Sequence, residues 1–475
     1  MEESVLTDRK RQIGLIGIVC AASFLMTFYY SSLNISLGAI ANYFGVKVGA
    51  AAWLPLLYLL IITSSILGFG KLGDIKGYKK IFIIGIGVFL CGAFLSAVAR
   101  SFGFLFFAQI IQSSGEAMFS PVCIAILTTY LPSELKGKAL GFYATFQGMG
   151  FALGLSLGGV IVSNFGWRSV FAMTIPLALL IIFVSLKALP YKKPVQSDTR
   201  FDFLGAVLLF LFLSVLLYAV NSGTKIGWGN PFILGLLIFQ AVLFIAFILV
   251  ENKSKYPLLD LNLFKNINFT FSSAAAFLGL AINMGFIFIF PFYLQLLRHF
   301  DISKAGVIIM SQSVMMMVIA PIAGNISDRI GSRKVCIFGT CLVTAAFAMF
   351  SFLSIESSIF YIVICLVCLG TGMGFFIAPN NKLVMINAAA DKQGVASGVY
   401  KVAVNAGSSI GIALFMLVLA QVVIFDVKKM NIILSESKNH PDIIMAGFRG
   451  VFIFGIALGV LTLVFSFLAR DKKEE

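Results

Sequence analysis

GKLGDIKGYKK, residues 70–80, and GNISDRIGSRK, residues 324–334, are nearly the same sentence written twice. Gly70, Asp74, Gly77, Lys79 and Lys80 fall in register with Gly324, Asp328, Gly331, Arg333 and Lys334. Each stretch is a hydrophilic break between two long apolar runs. A charged turn repeated at matching places in two hydrophobic halves points to a duplicated membrane protein. Internal repeats around a midplane binding site are a transporter design.

The rest of the chain supports that reading. Hydrophobic residues make up 60% of it and charged residues 12%, with a mean hydropathy of +1.01. A soluble fold has no core large enough for so much apolar surface. A run of about 18 apolar residues crosses the bilayer core, and this chain has roughly fourteen such runs. Unpaired backbone groups are costly in lipid, so spans are helices or closed barrels. Barrel strands are short and alternating; these runs are about twice that length and continuously apolar, which makes them helices.

The net charge of +15 would suit nucleic acid, but its placement in the breaks between apolar runs points elsewhere. With the N-terminus inside, the inner breaks carry roughly 24 Lys and Arg against about 10 outside, as the positive-inside rule asks. The inner set includes Arg9–Arg11, Lys71, Lys76, Lys79, Lys80, Lys136, Lys138, Lys187, Lys192, Lys193, Arg200, Lys253, Lys255 and Lys265. It continues with Arg329, Arg333, Lys334, Lys382, Lys392, Arg470, Lys472 and Lys473. The charge is therefore topology, and no nucleic-acid partner is expected. The seven cysteines are odd in number and lie inside apolar runs, so no disulfide framework is implied. Cys365-x-x-Cys368 inside a membrane helix reads as packing, and no metal or cofactor is expected. His299 and His440 fall in outer loops, away from any proton relay.

The expected spans are 13–40, 50–69, 81–99, 103–131, 140–163, 169–189, 203–220, 231–250, 268–297, 305–326, 335–354, 358–385, 395–424 and 446–469. The first is too long for a signal peptide. A solvated outer loop at about 425–445 carries Lys428, Lys429, Glu436 and Lys438. The expected fold is an all-α membrane protein of fourteen helices with both termini cytoplasmic. Two six-helix pseudo-repeats, 1–189 and 268–475, flank a linker with two extra helices, 190–267.

At this level the chain resembles the major facilitator superfamily, in its fourteen-helix drug:proton antiporter branch of multidrug, quaternary-ammonium and tetracycline exporters. GKLGDIKGYKK resembles the cytoplasmic loop motif between helices two and three, and PSELKGKALG (132–141) the loop after helix four. FALGLSLGG (151–159) followed by FGWRSVF (165–171) resembles the helix-five antiporter motif and its exit. FDFLG (201–205), PLLDLNLF (257–264), FPFYLQ (290–295), VASGV (395–399) and NAGSSIGIAL (405–414) match the branch's later segments. The resemblance covers nearly the whole chain and implies a proton-coupled exporter of amphipathic, cationic small molecules working by alternating access. It implies a multi-pass protein of a prokaryotic cytoplasmic membrane, a monomer, with protons, the lipid bilayer and a small-molecule substrate as partners.

The residues also depart from the pattern. The acidic position usual in helix one holds Tyr29, before Asn34. In helix four the usual Arg position holds Gln109, and the usual Gly after Gln112 is Ser113. The Gly-Pro of helix five is Gly154-Leu155. Two of these changes remove charges to which the resemblance assigns proton coupling. One acid remains deep in the membrane: Glu116, mid-span, on the face shared by Gln109, Gln112 and Ser120. A carboxylate at that depth is a functional hypothesis by default. It either binds a proton in competition with a cationic substrate, or is a protonated acid bonded to a neighbouring Gln or Ser.

Candidate substrate-binding residues are Tyr30, Asn34, Gln109, Gln112, Glu116, Gln295, Gln312 and Asn405, with Asn380 and Asn381 as further cavity candidates. In helix one, Ser23, Thr27, Tyr30 and Asn34 share a face. Met315, Met316 and Met317 offer an adaptable apolar surface. Lys401, about two turns from the cytoplasmic end, is expected to snorkel there. Gly70, Asp74, Gly77, Lys80, Asp328, Arg329, Gly331 and Lys136 form the candidate conformational gate, a latch or simply topology anchors. Gly150, Gly154, Gly158 and Gly159 allow close helix packing. Competing with proton-coupled export are a uniporter or carrier for a specific metabolite or lipid, and a membrane sensor that transports nothing. No enzymatic constellation is present in the sequence, and no P-loop or soluble domain for an ATP-driven pump.

Overall fold

The structure is a computed structural model. It describes residues 8–46, 48–51, 53–190, 202–226, 230–254, 257, 259, 261–300, 302–389, 392–423 and 441–471. Lys192, Lys193, Arg200, Lys255, Lys472, Lys473 and the outer-loop group Lys428, Lys429, Glu436, Lys438 and His440 lie outside the described residues.

Among the described residues the chain is helical, with no strand. We number the long helices α1 Arg9–Phe44, α2 Trp53–Lys76, α3 Tyr78–Ala97, α4 Phe102–Tyr130, α5 Ser133–Phe165, α6 Thr174–Ala188 and α7 Phe203–Ile226. There follow α8 Pro231–Lys253, α9 Ile267–Phe292, α10 Ile302–Ile330, α11 Ser332–Ser351, α12 Ile359–Ile386, α13 Gln393–Val423 and α14 Pro441–Leu468. Thirteen spans among the described residues are long and apolar enough to cross a membrane. The exception is α7, whose apolar stretch Phe203–Leu216 is shorter. Thirteen spans therefore stand against the expected fourteen among the described residues.

Local chemistry sets several helix ends. Ser101 caps α4 by accepting from the Phe104 N–H at 3.2 Å, and Ser358 caps α12 through the Tyr361 N–H at 3.1 Å. Gly45 ends α1 in a left-handed conformation, φ 65°. Gly77 and Gly331 precede α3 and α11 with the same φ of 92°. Only glycine takes that conformation without strain, so the sequence repeat is also a repeat of backbone shape.

Contacts divide the chain into two compact units. The first comprises Met1–Ser214, Phe244–Leu261 and Ala388–Val402; the second comprises Val215–Leu243, Asn262–Asn387 and Ala403–Glu475. In the first unit, α1 packs along α5, and α4 packs against α2 and α3. Gly150 and Gly154 of α5 let the two backbones approach: a Cβ at either would collide with the α1 carbonyls of Phe24 or Phe28. Gly158 sits against Ser32, while Gly159 has only Ile35 at 3.8 Å and is not tightly packed. Ser23 and Thr27 donate to the α5 carbonyls of Tyr143, at 3.2 Å, and Gln147, at 2.8 Å. In the second unit α12 packs against α10 and α11, and α14 against α9 and α11. Gly407 and Gly411 of α13 approach the carbonyls of Phe277 and Ala281 on α9 in the same manner.

Candidate functional site

Glu116 lies at the middle of α4 and is 8% exposed. Its carboxylate accepts a hydrogen bond from the Tyr58 hydroxyl of α2. Tyr58 is the lone polar-tipped side chain between Trp53 and Thr63, and that isolation was the signal that could have found it. The sequence left a Gln or Ser as the alternative partner for Glu116. The partner is instead a tyrosine from another helix, because the Gln residues of the stripe are committed elsewhere.

Gln109 and Gln112 are fully buried. The Tyr29 hydroxyl donates to Gln109 Oε1 at 2.6 Å. Gln109 Nε2 donates to Ser96 Oγ at 3.1 Å and to Gln112 Oε1 at 3.3 Å. The two positions that lost their family charges therefore touch each other. Tyr29 and Gln109 form a neutral hydrogen bond, with no buried charge to compensate.

Aromatic rings close around this polar core. The Tyr29 and Tyr58 ring centroids are 5.1 Å apart, Tyr30 stacks on Tyr58 at 6.2 Å, and Phe89 and Phe171 flank Tyr29. Of the candidate residues on α1, Tyr30 is half-buried and joins the cluster, whereas Asn34 is exposed and donates to the Tyr30 carbonyl at 2.8 Å.

The expectation for Lys401 is corrected. It does not reach for the cytoplasm: its Nζ donates to the Tyr143 hydroxyl at 2.8 Å and lies 5.1 Å from that ring's centroid. A hydroxyl acceptor and an aromatic face inside the unit supply what snorkelling would have sought in water. Lys401 arrives there because the first turns of α13 dock in the first unit. Ser397 Oγ donates to the Pro121 carbonyl of α4 at 2.7 Å, and Gly398 packs on Leu67.

Asp74 anchors that docking. It lies at the C-terminal end of α2, yet its carboxylate caps another helix: Oδ1 accepts from the Gly394 N–H at 2.7 Å and Oδ2 from the Val395 N–H at 2.9 Å. The Tyr78 hydroxyl adds a bond of 2.6 Å, and Gly70 packs directly on the Gly394 carbonyl. In the second unit, Asp328 pairs with Lys382 of α12 at 2.6 Å. The sequence had counted Lys382 only as inside charge. Lys80 and Arg329 are exposed, and Lys136 is half-buried in the first turn of α5.

The remaining candidates belong to the second unit. Gln312 is buried and donates to Asn283 Oδ1 at 2.8 Å; Asn283 was not singled out, although it is the amide in the apolar middle of α9. Asn380 Nδ2 donates to the Ser272 carbonyl at 3.2 Å. Gln295, Asn405 and Met315–Met317 are half-buried.

The described helices are long and apolar enough to cross a membrane thirteen times, and two of their connecting turns share a charged motif. The Major Facilitator Superfamily model matches residues 19–412, and the chain belongs to that family, a family of transporters. It is 30% identical over 415 residues to the riboflavin transporter RibZ of Clostridioides difficile, covering 86% of this chain and 89% of that one. It is 27% identical over 409 residues to the multidrug resistance protein Stp of Mycobacterium tuberculosis, covering 86% and 76%. Among solved structures, the human organic anion transporter MFSD10 (TETRAN) shares the fold, with a TM-score of 0.64 at 14% identity over 96% of this chain and 99% of that one. The protein is thus a multi-pass membrane transporter of the cell membrane.

Proposed function

We propose that the protein is a secondary transporter that exports small amphipathic molecules, cations among them, by alternating access in exchange for protons. In this reading it has fourteen membrane helices arranged six, two and six (1–189, 190–267, 268–475), with both termini cytoplasmic. Glu116 is the proton-binding residue. The observation that carries the reading is its setting: an acid in the middle of α4, bonded to Tyr58 and walled by Tyr29 and Tyr30. A proton and a substrate cation compete for such a carboxylate, and tyrosine faces add cation–π attraction. The Asp74 contact with α13 is the latch: it holds one conformation and releases when the first turn of α13 moves away.

A second reading has its own support. Tyr29–Gln109 is uncharged. This favours a carrier of a specific neutral metabolite that works without proton antiport, and the similarity to a riboflavin transporter names riboflavin as the neutral probe.

Uptake of ethidium and of riboflavin into inverted membrane vesicles, with and without an imposed pH gradient, separates the readings. Proton-coupled export predicts gradient-driven ethidium uptake that Glu116→Gln abolishes while the variant still folds. Riboflavin uptake that ignores both the gradient and the substitution supports the second reading and removes Glu116 from coupling.

A further inference from the structure

Asn283 of α9 and Gln312 of α10 are each 1% exposed. Gln312 Nε2 donates to Asn283 Oδ1, which fixes how the Gln312 amide lies. Gln312 Oε1 then accepts no hydrogen bond from any described residue. An unpaired buried acceptor is costly, and the depth of a membrane span offers no bulk water to relieve it. Packing does not explain the residue, since a leucine or methionine of similar volume would fill the space without that cost. The backbone at Gln312 is also held firmly, because Gly370 of α12 abuts its carbonyl.

The chemistry of what this acceptor takes follows from its surroundings. Helix α9 contains no Asp, Glu, Lys or Arg, and α10 has none between Lys304 and Asp328. A cation would find no counter-charge here. Two amide oxygens, one already engaged, are too few for a hard metal ion, which takes about six or more. An anion would meet an oxygen lone pair. What remains is a neutral group with an N–H or O–H.

We propose that Asn283 and Gln312 form a recognition subsite for a neutral ligand group that donates hydrogen bonds: an amide, an imide or a hydroxyl. This rests on the reading of the protein as a carrier, and deepens it by assigning part of the substrate's chemistry to the second unit. A site built to bond such a group rejects analogues that lack it far more strongly than an apolar pocket does.

The test is quenching of riboflavin fluorescence by the purified full-length protein, since riboflavin is neutral and carries both an imide N–H and hydroxyls. Gln312→Met is expected to weaken binding about tenfold or more. The double variant Asn283→Leu/Gln312→Met leaves neither amide unpaired. It is expected to melt no lower than the native protein and yet to bind riboflavin as weakly as the single variant, which a purely structural role does not predict. Unchanged riboflavin affinity in the double variant overturns the inference. So does a native protein that binds no riboflavin while ethidium transport persists, an outcome that leaves the carrier reading standing. If neither ethidium nor riboflavin is moved by the native protein, the carrier reading falls and the subsite falls with it.

Discussion

In the first repeat the loop aspartate gives both carboxylate oxygens to backbone N–H groups at the start of α13, 320 and 321 residues away. In the second repeat its counterpart, Asp328, pairs with Lys382 inside its own bundle of α10 and α12. The two loops share a motif, a glycine conformation and a helix turn, yet their acids do different jobs. A carboxylate at a helix N-terminus is favoured by unpaired N–H groups and by the helix dipole. Its bond therefore depends on where that helix stands. An ion pair between adjacent helices of one bundle travels with the bundle. The two loops are alike in sequence and in glycine conformation, and the proposed latch belongs to the first alone.

The sharpest way to break this comparison is to remove each acid in turn, and the larger effect on stability is expected in the second repeat. Asp328→Ala leaves the Lys382 ammonium, 10% exposed, without its partner. Breaking a buried pair from one side costs about 3–5 kcal/mol, so the purified variant should lose most of its folded fraction in a heat step that the native protein survives. Asp328→Asn combined with Lys382→Met should restore most of that loss, because no buried charge is left over. If the single and double variants melt alike, the pair is not what holds α10 to α12.

Asp74→Asn should do the opposite: little to thermal stability and more to transport. The amide can still accept from one N–H of α13, but the charge contribution, at most about 2 kcal/mol, is gone. Ethidium transport in vesicles should fall about tenfold or shift in its direction preference, with the melting midpoint within a few degrees of native. Tyr78→Phe, which removes the hydroxyl donated to Asp74, should act in the same sense but more weakly. A large stability loss with unchanged transport per folded molecule would make Asp74 a structural cap and end its role as a latch.

Much of the fold was legible in the sequence because lipid imposes simple rules. Apolar runs located the helices, but α2 continues to Lys76 past its expected end at 69 and α5 begins at Ser133, before its expected start at 140, because the helices run on into polar flanking turns. The site was legible only in part. Glu116 stood out because a mid-span acid is costly, but its partner Tyr58 lies on α2, and no spacing rule links two helices. The Gln109–Gln112–Glu116 stripe was correctly placed on one helix, yet its members face different neighbours: α1 and α3 for the amides, α2 for the acid. Lys401 was misread because distance along a helix from its end says nothing about a tyrosine on α5 that can hold the ammonium. The partner of Asp74 was hidden for a similar reason, since the motif shows a carboxylate at the end of α2 and not the helix it caps.

The smallest effect tests what the two loops still have in common. Lys79 donates to the carbonyls of Leu186 and Leu189 at the end of α6, both at 2.8 Å. Arg333, its counterpart, donates to the Phe467 carbonyl near the end of α14 at 2.6 and 3.0 Å. Each cation thus caps the last turn of the sixth helix in its own repeat, where the dipole favours positive charge by about 0.3–1 kcal/mol. Arg333 also stacks over the Phe467 ring at 4.8 Å, worth about 0.5–1 kcal/mol at an exposed site. Arg333→Ala should therefore lower the melting midpoint slightly more than Lys79→Ala, and Arg333→Lys should fall between Arg333→Ala and native, keeping the charge but losing the planar fork. Neither alanine variant should change transport per folded molecule, because both caps stay within their own repeat. If Lys79→Ala reduces transport as Asp74→Asn does, the whole first loop acts as the latch, and the division between its acid and its cations is wrong.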